Sequence, residues 1–171
     1  MFNNYFYHER LRKTVAIFGS LFTKIYVIRT DNNNKVLSTL RVPLAYSPRS
    51  KFIARLQQVG EFGKDDSVAI KLPRMSFEMT SIAYDSTRQL AKTNTQLRAA
   101  TAADNNQRAK IRQSTPYIVT FSLGVYANNQ DDALQIVEQI LPYFAPQYTV
   151  TMKPYKEYPD IKEDVPITLQ S

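Results

Sequence analysis

Apolar residues recur at the spacing of an α-helix in three stretches of the chain. In the first, His8 to Phe22, the apolar stripe consists of Leu11, Val15, Phe18 and Phe22. Residues three and four apart share one face of a helix, so this stretch is predicted to be an amphipathic helix. A second helix is predicted to begin after Ser47-Pro48, a capping residue followed by a first-turn proline, and to stop near Gly60. A third is predicted over Ala133 to Leu141, because Pro142 cannot continue a helix.

Other stretches alternate apolar and polar residues, which is typical of strands with one buried face. The longest are Arg74 to Tyr84 and Tyr117 to Tyr126. Lys24 to Thr30 and Lys35 to Val42 flank an Asp-Asn-Asn-Asn turn and are predicted to pair as a hairpin. Shorter strands are predicted over Ser67 to Leu72, Gln147 to Lys153 and Val165 to Gln170. The pattern predicts an α+β fold, with a mixed, mostly antiparallel sheet flanked by two or three helices.

Residues 85–115 differ from the rest of the chain. They contain no aromatic residue, and their large aliphatic residues are Leu90, Leu97 and Ile111. A structureless loop of this length is unusual inside a compact domain. The segment is therefore predicted to be a long projecting arm, or an insertion that is disordered in the free protein. It joins two long strands, which we expect to be neighbours in one sheet. The length of 171 residues is otherwise that of a single domain, 1–171.

The charge is unevenly distributed along the chain. The formal net charge is +7. Residues 1–115 carry 19 basic and 8 acidic residues, a balance of +11, whereas residues 116–171 carry 3 and 7, a balance of −4. Two faces of opposite sign would suit head-to-tail contact with copies of the chain or with other proteins. The alternative is that the fold mixes both parts over its surface, so that no charged face results.

The composition excludes several classes of chemistry. There is no Cys and one His, His8, so thiolate metal sites, disulfide scaffolds and cysteine nucleophiles are excluded, as are sites that need two histidines. No P-loop, dinucleotide-binding motif or Ser-His-Asp order is present. No apolar run approaches the roughly 20 residues of a membrane span. The sequence predicts no enzyme activity, no catalytic or metal site, no cofactor and no membrane contact.

Ten residues are candidates for contacts with partners. Six are basic residues of the 85–115 segment, and four are tyrosines, which often anchor protein interfaces. They are Arg88, Lys92, Arg98, Arg108, Lys110, Arg112, Tyr143, Tyr148, Tyr155 and Tyr158. Basic residues interleaved with aromatic ones are also found in nucleic-acid-binding sites, where the aromatic rings stack on the bases. The tyrosines lie in the acidic part of the chain, however, which favours protein partners there.

The sequence also resembles a known family. The most specific match is the run from Gln135 to Phe144, followed by Pro146, and shorter matches include Val42-Pro43, Leu72-Pro73-Arg74 and Tyr84-Asp85. These residues resemble the tail sheath stabiliser and completion proteins of T4-like contractile-tailed bacteriophages. The family is longer than this chain, and its C-terminal part is expected to be missing here. The resemblance provides no catalytic residues.

The resemblance implies a structural protein of the virion, assembled in the host cytoplasm and located in the tail-neck region. It implies a fold like that of tail terminators and a homo-hexameric ring at the head-proximal end of the tail. The ring would contact the tail sheath subunits and the tail-tube terminator, stabilise the extended sheath and provide a docking surface for neck and connector proteins. Genomic DNA would pass through it without specific binding. The alternative from the net charge is a basic nucleic-acid-binding module, and a hydrolase based on scattered carboxylates is the third reading.

Overall fold

The computed structural model describes residues 5, 7–31, 33, 35–61, 72–88, 91, 95–99, 108–112, 114–155 and 160–170. Three α-helices and nine strands lie in this part of the chain. In chain order they are α1 (Arg10–Leu21), β1 (Tyr26–Thr30), β2 (Val36–Arg41), β3 (Leu44–Tyr46), α2 (Arg49–Glu61), β4 (Arg74–Tyr84), β5 (Thr95–Ala99), β6 (Arg108–Arg112), β7 (Tyr117–Tyr126), α3 (Gln130–Ile140), a 3-10 turn (Leu141–Tyr143), β8 (Gln147–Met152) and β9 (Glu163–Thr168). The predicted α+β class and the three helices are confirmed.

The strands pair mostly with their neighbours in the chain. β1 and β2 form the predicted antiparallel hairpin, and β8 and β9 form a second one. A three-stranded sheet has the order β3-β4-β7, in which β3 runs parallel to β4. The short β3 was not predicted. The last strand ends at Thr168, two residues before the predicted Gln170. The predicted strand Ser67 to Leu72 lies, except for its last residue, outside the described part of the chain.

The predicted neighbour relation of β4 and β7 is confirmed. The backbone N–H of Asp85 donates to the carbonyl oxygen of Pro116 (3.2 Å), just where β4 ends and β7 begins. Further along, the Thr80 hydroxyl donates to the Thr120 carbonyl oxygen (3.2 Å). Residue numbers rise on one strand as they fall on the other, so the two strands are antiparallel.

The hydrophobic core joins α1, the β1–β2 hairpin, β4 and α3. Its buried members are Phe22, Ile25, Val27, Val42, Met75, Ile136 and Ile140. Ile136 and Ile140 are one helical turn apart and place one face of α3 in this core. At Gly19, a Cβ atom would lie 3.0 Å from the Cζ atom of Phe77. The absence of a side chain at Gly19 therefore lets α1 approach the Phe77 ring closely.

The chain divides into two compact units. One contains residues Met1–Glu78 and Leu123–Ser171, and the other contains Met79–Ser122. In the second unit β5 and β6 pair antiparallel, with Thr95 opposite Arg112 and Ala99 opposite Arg108. Part of the 85–115 segment is thus regular β-structure, which its polar composition did not predict. That this segment projects as an arm, and that residues 1–171 form a single domain, stay predictions.

Candidate protein-binding surfaces

The outer edge of β1 is closed by two glutamine side chains of α3. The backbone N–H of Ile28 donates to Oε1 of Gln135 (3.1 Å), and Nε2 of Gln135 donates to the Ile28 carbonyl oxygen (3.1 Å). One helical turn further on, the N–H of Tyr26 donates to Oε1 of Gln139 (3.3 Å), whose Nε2 donates to the Tyr26 carbonyl oxygen (2.7 Å). Each carboxamide therefore bonds as a peptide group of an additional strand would.

The spacing of the two glutamines explains why the match is possible. Residues four apart on a helix are separated by about 6 Å along its axis. Residues two apart on a strand are separated by about 6.8 Å, and both their N–H and C=O groups point to the same edge. Gln135 and Gln139 therefore reach alternate residues of β1. Helix α3 satisfies this edge without being a strand, and the edge cannot take another strand in this state.

An ion pair extends the same contact. Arg29 Nη2 lies 2.7 Å from Oδ2 of Asp132, and the Asp132 side chain is almost fully buried. The hydrogen bond to Asp132, and then its charge, raise the pKa of Arg29 above its usual value. Asp131 and Asp132 both lie in the first turn of α3, whose N-cap position is Asn129, and Asp132 binds the hairpin.

The outer face of α3 is apolar and exposed. Leu134 and Val137 of α3, and Leu141 at the start of the following 3-10 turn, are 50%, 38% and 47% exposed. They are spaced three and four apart, so they form a stripe, which we call the α3 stripe. This stripe lies on the helix face away from Gln135 and Gln139. Monomeric proteins rarely leave contiguous apolar surface uncovered unless a partner covers it.

The β1–β2 hairpin has a second exposed face. Tyr26 lies opposite Arg41 and Ile28 lies opposite Thr39 in the antiparallel register. Directly opposed residues share a face of the hairpin, and all four are exposed. The alternate residue Val27 is fully buried in the core. The hairpin therefore buries one face and presents Tyr26, Ile28, Thr39 and Arg41 on the other.

The predicted tyrosines are distributed over two places. The rings of Tyr143 and Tyr148 meet edge to face with centroids 6.3 Å apart, and Tyr143 is 67% exposed. Tyr155 instead contacts the beginning of α1, where its ring lies edge to face with His8 and 5.0 Å from Cζ of Arg10. Tyr158 lies outside the described residues. The structure thus describes a Tyr143–Tyr148 pair next to the end of α3, while Tyr155 helps to fix α1.

The predicted basic residues belong to the second unit. Arg88 is exposed, and its Nε lies 4.0 Å from Oδ2 of Asp85. Asp85 also accepts hydrogen bonds from the N–H and hydroxyl of Thr87, and mainly the hydroxyl lowers its pKa. Arg98 lies on β5, and Arg108, Lys110 and Arg112 lie on β6. Lys92 lies outside the described residues.

The described residues contain no cluster of three or more His, Asp or Glu side chains that could hold a metal ion. No helix in the described ranges is long and apolar enough to cross a membrane. The prominent surface features are the exposed apolar faces of α3 and of the hairpin, which is the character of a protein that binds other proteins.

Comparison with known proteins agrees with that character. The chain belongs to the T4-like virus Myoviridae tail sheath stabiliser family, whose model matches residues 5–171. It is 28% identical over 176 residues to the tail completion protein gp15 of Enterobacteria phage T4. This alignment covers 98% of the chain but 61% of the relative, so the chain spans less than two thirds of that protein's length. The resemblance read from the sequence is confirmed.

Proposed function

We propose that this chain is a structural subunit of a contractile phage tail and not an enzyme. It forms a homo-hexameric ring at the head-proximal end of the tail, binds the tail-tube terminator and the last sheath subunits, and provides the docking surface for the neck. The observation that carries the proposal is the family match over residues 5–171. The ring is assembled in the host cytoplasm and is located in the virion, and DNA passes through it without specific binding.

The surfaces described above support a subunit with several protein partners. The α3 stripe and the exposed face of the hairpin lie on different elements, so they suit different contacts. The uneven charge of the sequence supports heterologous contacts, in which one patch of a subunit meets a different patch of the next. Of the predicted partner-binding residues, the exposed Tyr143 is next to the end of the α3 stripe. We assign that combined surface to a protein interface.

Stabilisation of a sheath requires a difference in affinity. A ligand shifts a two-state lattice only if it binds one state more tightly than the other. The ring therefore binds extended sheath subunits better than contracted ones. A preference of about tenfold per contact corresponds to roughly 1.4 kcal/mol, and six equivalent contacts would multiply it.

Electron microscopy of the chain mixed with sheath subunits of the same virus tests the proposal. We expect six-membered rings seated on the end of extended sheaths and weaker binding to contracted ones. Leu134→Glu should weaken this assembly, because it places a charge in the α3 stripe without altering a buried position. Lys51→Glu, on an exposed position of α2, is the control. A monomer that ignores extended sheath would contradict the proposed function.

The basic residues of the second unit are proposed as a further contact. Deletion of residues 90–110 should leave the first unit folded and weaken assembly of the ring or its attachment to the tail. Contacts between basic residues and acidic patches weaken as salt screens them, so assembly should also be salt-sensitive. If the deletion variant assembles as well as the wild type, the proposed contact is wrong.

A second candidate function is binding of nucleic acid. Positions 108, 110 and 112 alternate along β6, and all three are basic. Three phosphate contacts would give a slope of about −3 in a plot of log affinity against log salt. Titration of a DNA duplex at low salt tests this. Absence of binding, which we expect of a ring that lets DNA pass, excludes it.

A further inference from the structure

The β1–β2 hairpin has one closed edge and one open edge. The backbone groups of Tyr26 and Ile28 point to Gln139 and Gln135, so the alternate residues of β1 point to β2. In the same way, the Val42 N–H donates to the Ile25 carbonyl oxygen (2.9 Å). On β2, the residues that face β1 are therefore Ser38 and Leu40, and the N–H and C=O groups of Thr39 and Arg41 point outward.

Nothing in the described part of the chain occupies this outer edge of β2. The sheet that contains β2 has two strands, and no described backbone or side-chain group bonds the outward groups of Thr39 and Arg41. Both residues are exposed. The two residues offer two donors and two acceptors at the spacing of an incoming strand.

Another edge strand of the fold is protected in a way that β2 is not. β9 contains Pro166, which lacks an N–H group and interrupts strand addition. β2 has six residues and no proline. Its exposed Val36 and Leu37 (56% and 67%) are side chains that favour strand pairing. The register of β2 shifts near its beginning, where Thr30 pairs with Val36 but Arg29 pairs with Ser38, and beyond this shift Ser38 to Arg41 form a regular edge without a proline.

The charges of this edge indicate what it binds. Lys35 precedes β2 and Arg41 ends it, and neither makes an ion pair in the described part of the chain. The Nε of Arg41 donates to the carbonyl oxygen of Thr23 (3.1 Å), which lies between α1 and β1. Opposite charges across neighbouring strands stabilise pairing and like charges oppose it. A second copy of β2 would bring basic residues together, whereas an acidic strand would not.

We propose that the outer edge of β2 accepts an extended acidic segment of a partner protein as a third strand of the hairpin. Acidic side chains of that segment lie on the face of Arg41, and apolar side chains lie on the other face, beside Leu40. Backbone hydrogen bonds to Thr39 and Arg41 supply the affinity, and the acidic side chains select the partner.

A labelled nonapeptide that alternates valine and glutamate is the probe, and a peptide that alternates valine and lysine is its control. We expect that, of the two peptides, only the acidic one binds the full chain in fluorescence anisotropy. Bound peptide should slow hydrogen exchange of the Thr39 and Arg41 amides and leave the Leu40 amide, which already faces β1, unchanged. Absence of binding at millimolar peptide, or protection elsewhere, overturns the proposal.

Two variants test the mechanism separately. Thr39→Pro removes an outward N–H group and should abolish binding, because proline is tolerated on an edge but cannot donate. Arg41→Glu should lower affinity for the acidic peptide about fivefold and raise it for the basic peptide. Lys51→Glu on α2 makes the same charge change elsewhere and should do neither. Equal binding of both peptides, or dimerisation of the chain through this edge, would overturn the stated partner, and neither result depends on ring formation.

Discussion

Replacement of Gln135 and Gln139 by alanine should open the edge of β1. The double variant removes the four hydrogen bonds that join the two carboxamides to the backbone of Tyr26 and Ile28. The core residues of α3 stay in place, since Ile136 and Ile140 lie on a different face. The change is therefore confined to the seam between the helix and the strand.

The expected loss of stability is small. A hydrogen bond contributes about 0.5–1.5 kcal/mol net, and the low end applies here because water reaches Tyr26 and Ile28, which are 42% and 46% exposed. Four such bonds contribute roughly 2 kcal/mol. The two glutamine side chains lose rotamer freedom when they form these bonds, whereas alanine has none to lose, and this difference offsets about half of the lost stability. We expect the free energy of unfolding in urea to fall by about 1 kcal/mol.

Hydrogen exchange gives the sharper measurement. The amides of Tyr26 and Ile28 should exchange about fivefold faster, the factor that corresponds to 1 kcal/mol, while the Val27 amide stays protected by β2. The single variant Gln139→Ala should affect Tyr26 alone. Glu138→Ala, on the outer side of the same helix, is the control. Unchanged protection of both amides in the double variant would refute the reasoning that the glutamines close this edge.

Two further substitutions test single contacts. Gly124→Ala should lower the free energy of unfolding by about 1–3 kcal/mol, because the new Cβ would lie 2.9 Å from Oη of Tyr126, which is hydrogen-bonded to Ser76; thermal denaturation measures it, and a stable variant would show that the Tyr126 ring moves away freely. Asp85→Asn should be destabilising at neutral pH. The hydroxyl of Thr87 lowers the pKa of Asp85 in the folded chain, so the contribution of Asp85 is present above its unfolded pKa and is lost as the pH falls through its folded pKa. The two stability curves should therefore converge in acid, and a difference that does not shrink as the pH falls would contradict this.

The sequence predicted the elements that have a clear period. The bounds of β4 and β7 agree residue for residue with the alternating stretches, and the hairpin follows from its Asx-rich turn. Strand β3 has three residues, which is too short for alternation to be read, and its parallel pairing with β4 is a tertiary contact. Strands β5 and β6 were missed because polar residues with few large side chains resemble a loop.

The candidate binding surfaces were harder to predict, because a polar side chain on a helix can either bond another element or face solvent. Gln135 and Gln139 stand four residues apart in the sequence, and this spacing is the signal that could have been used. On a helix, however, glutamines also occur on solvated faces, and only the position of β1 distinguishes the two cases. That the tyrosines anchor a partner protein stays a prediction, and Tyr155 packs on α1 of its own chain.

The position of the ion pair changes what the uneven charge of the chain means. Asp132 belongs to the acidic last part of the sequence, yet it is buried against Arg29 of the basic first part. These two opposite charges therefore satisfy each other inside the fold and are not available to a partner. The hairpin keeps Lys24, Lys35 and Arg41 exposed, and the edge beside Arg41 is the one that α3 leaves open. Helix α3 thus closes the edge of β1, where Arg29 is paired with Asp132, and leaves open the edge of β2, which carries Arg41. This arrangement favours the addition of a strand from an acidic partner.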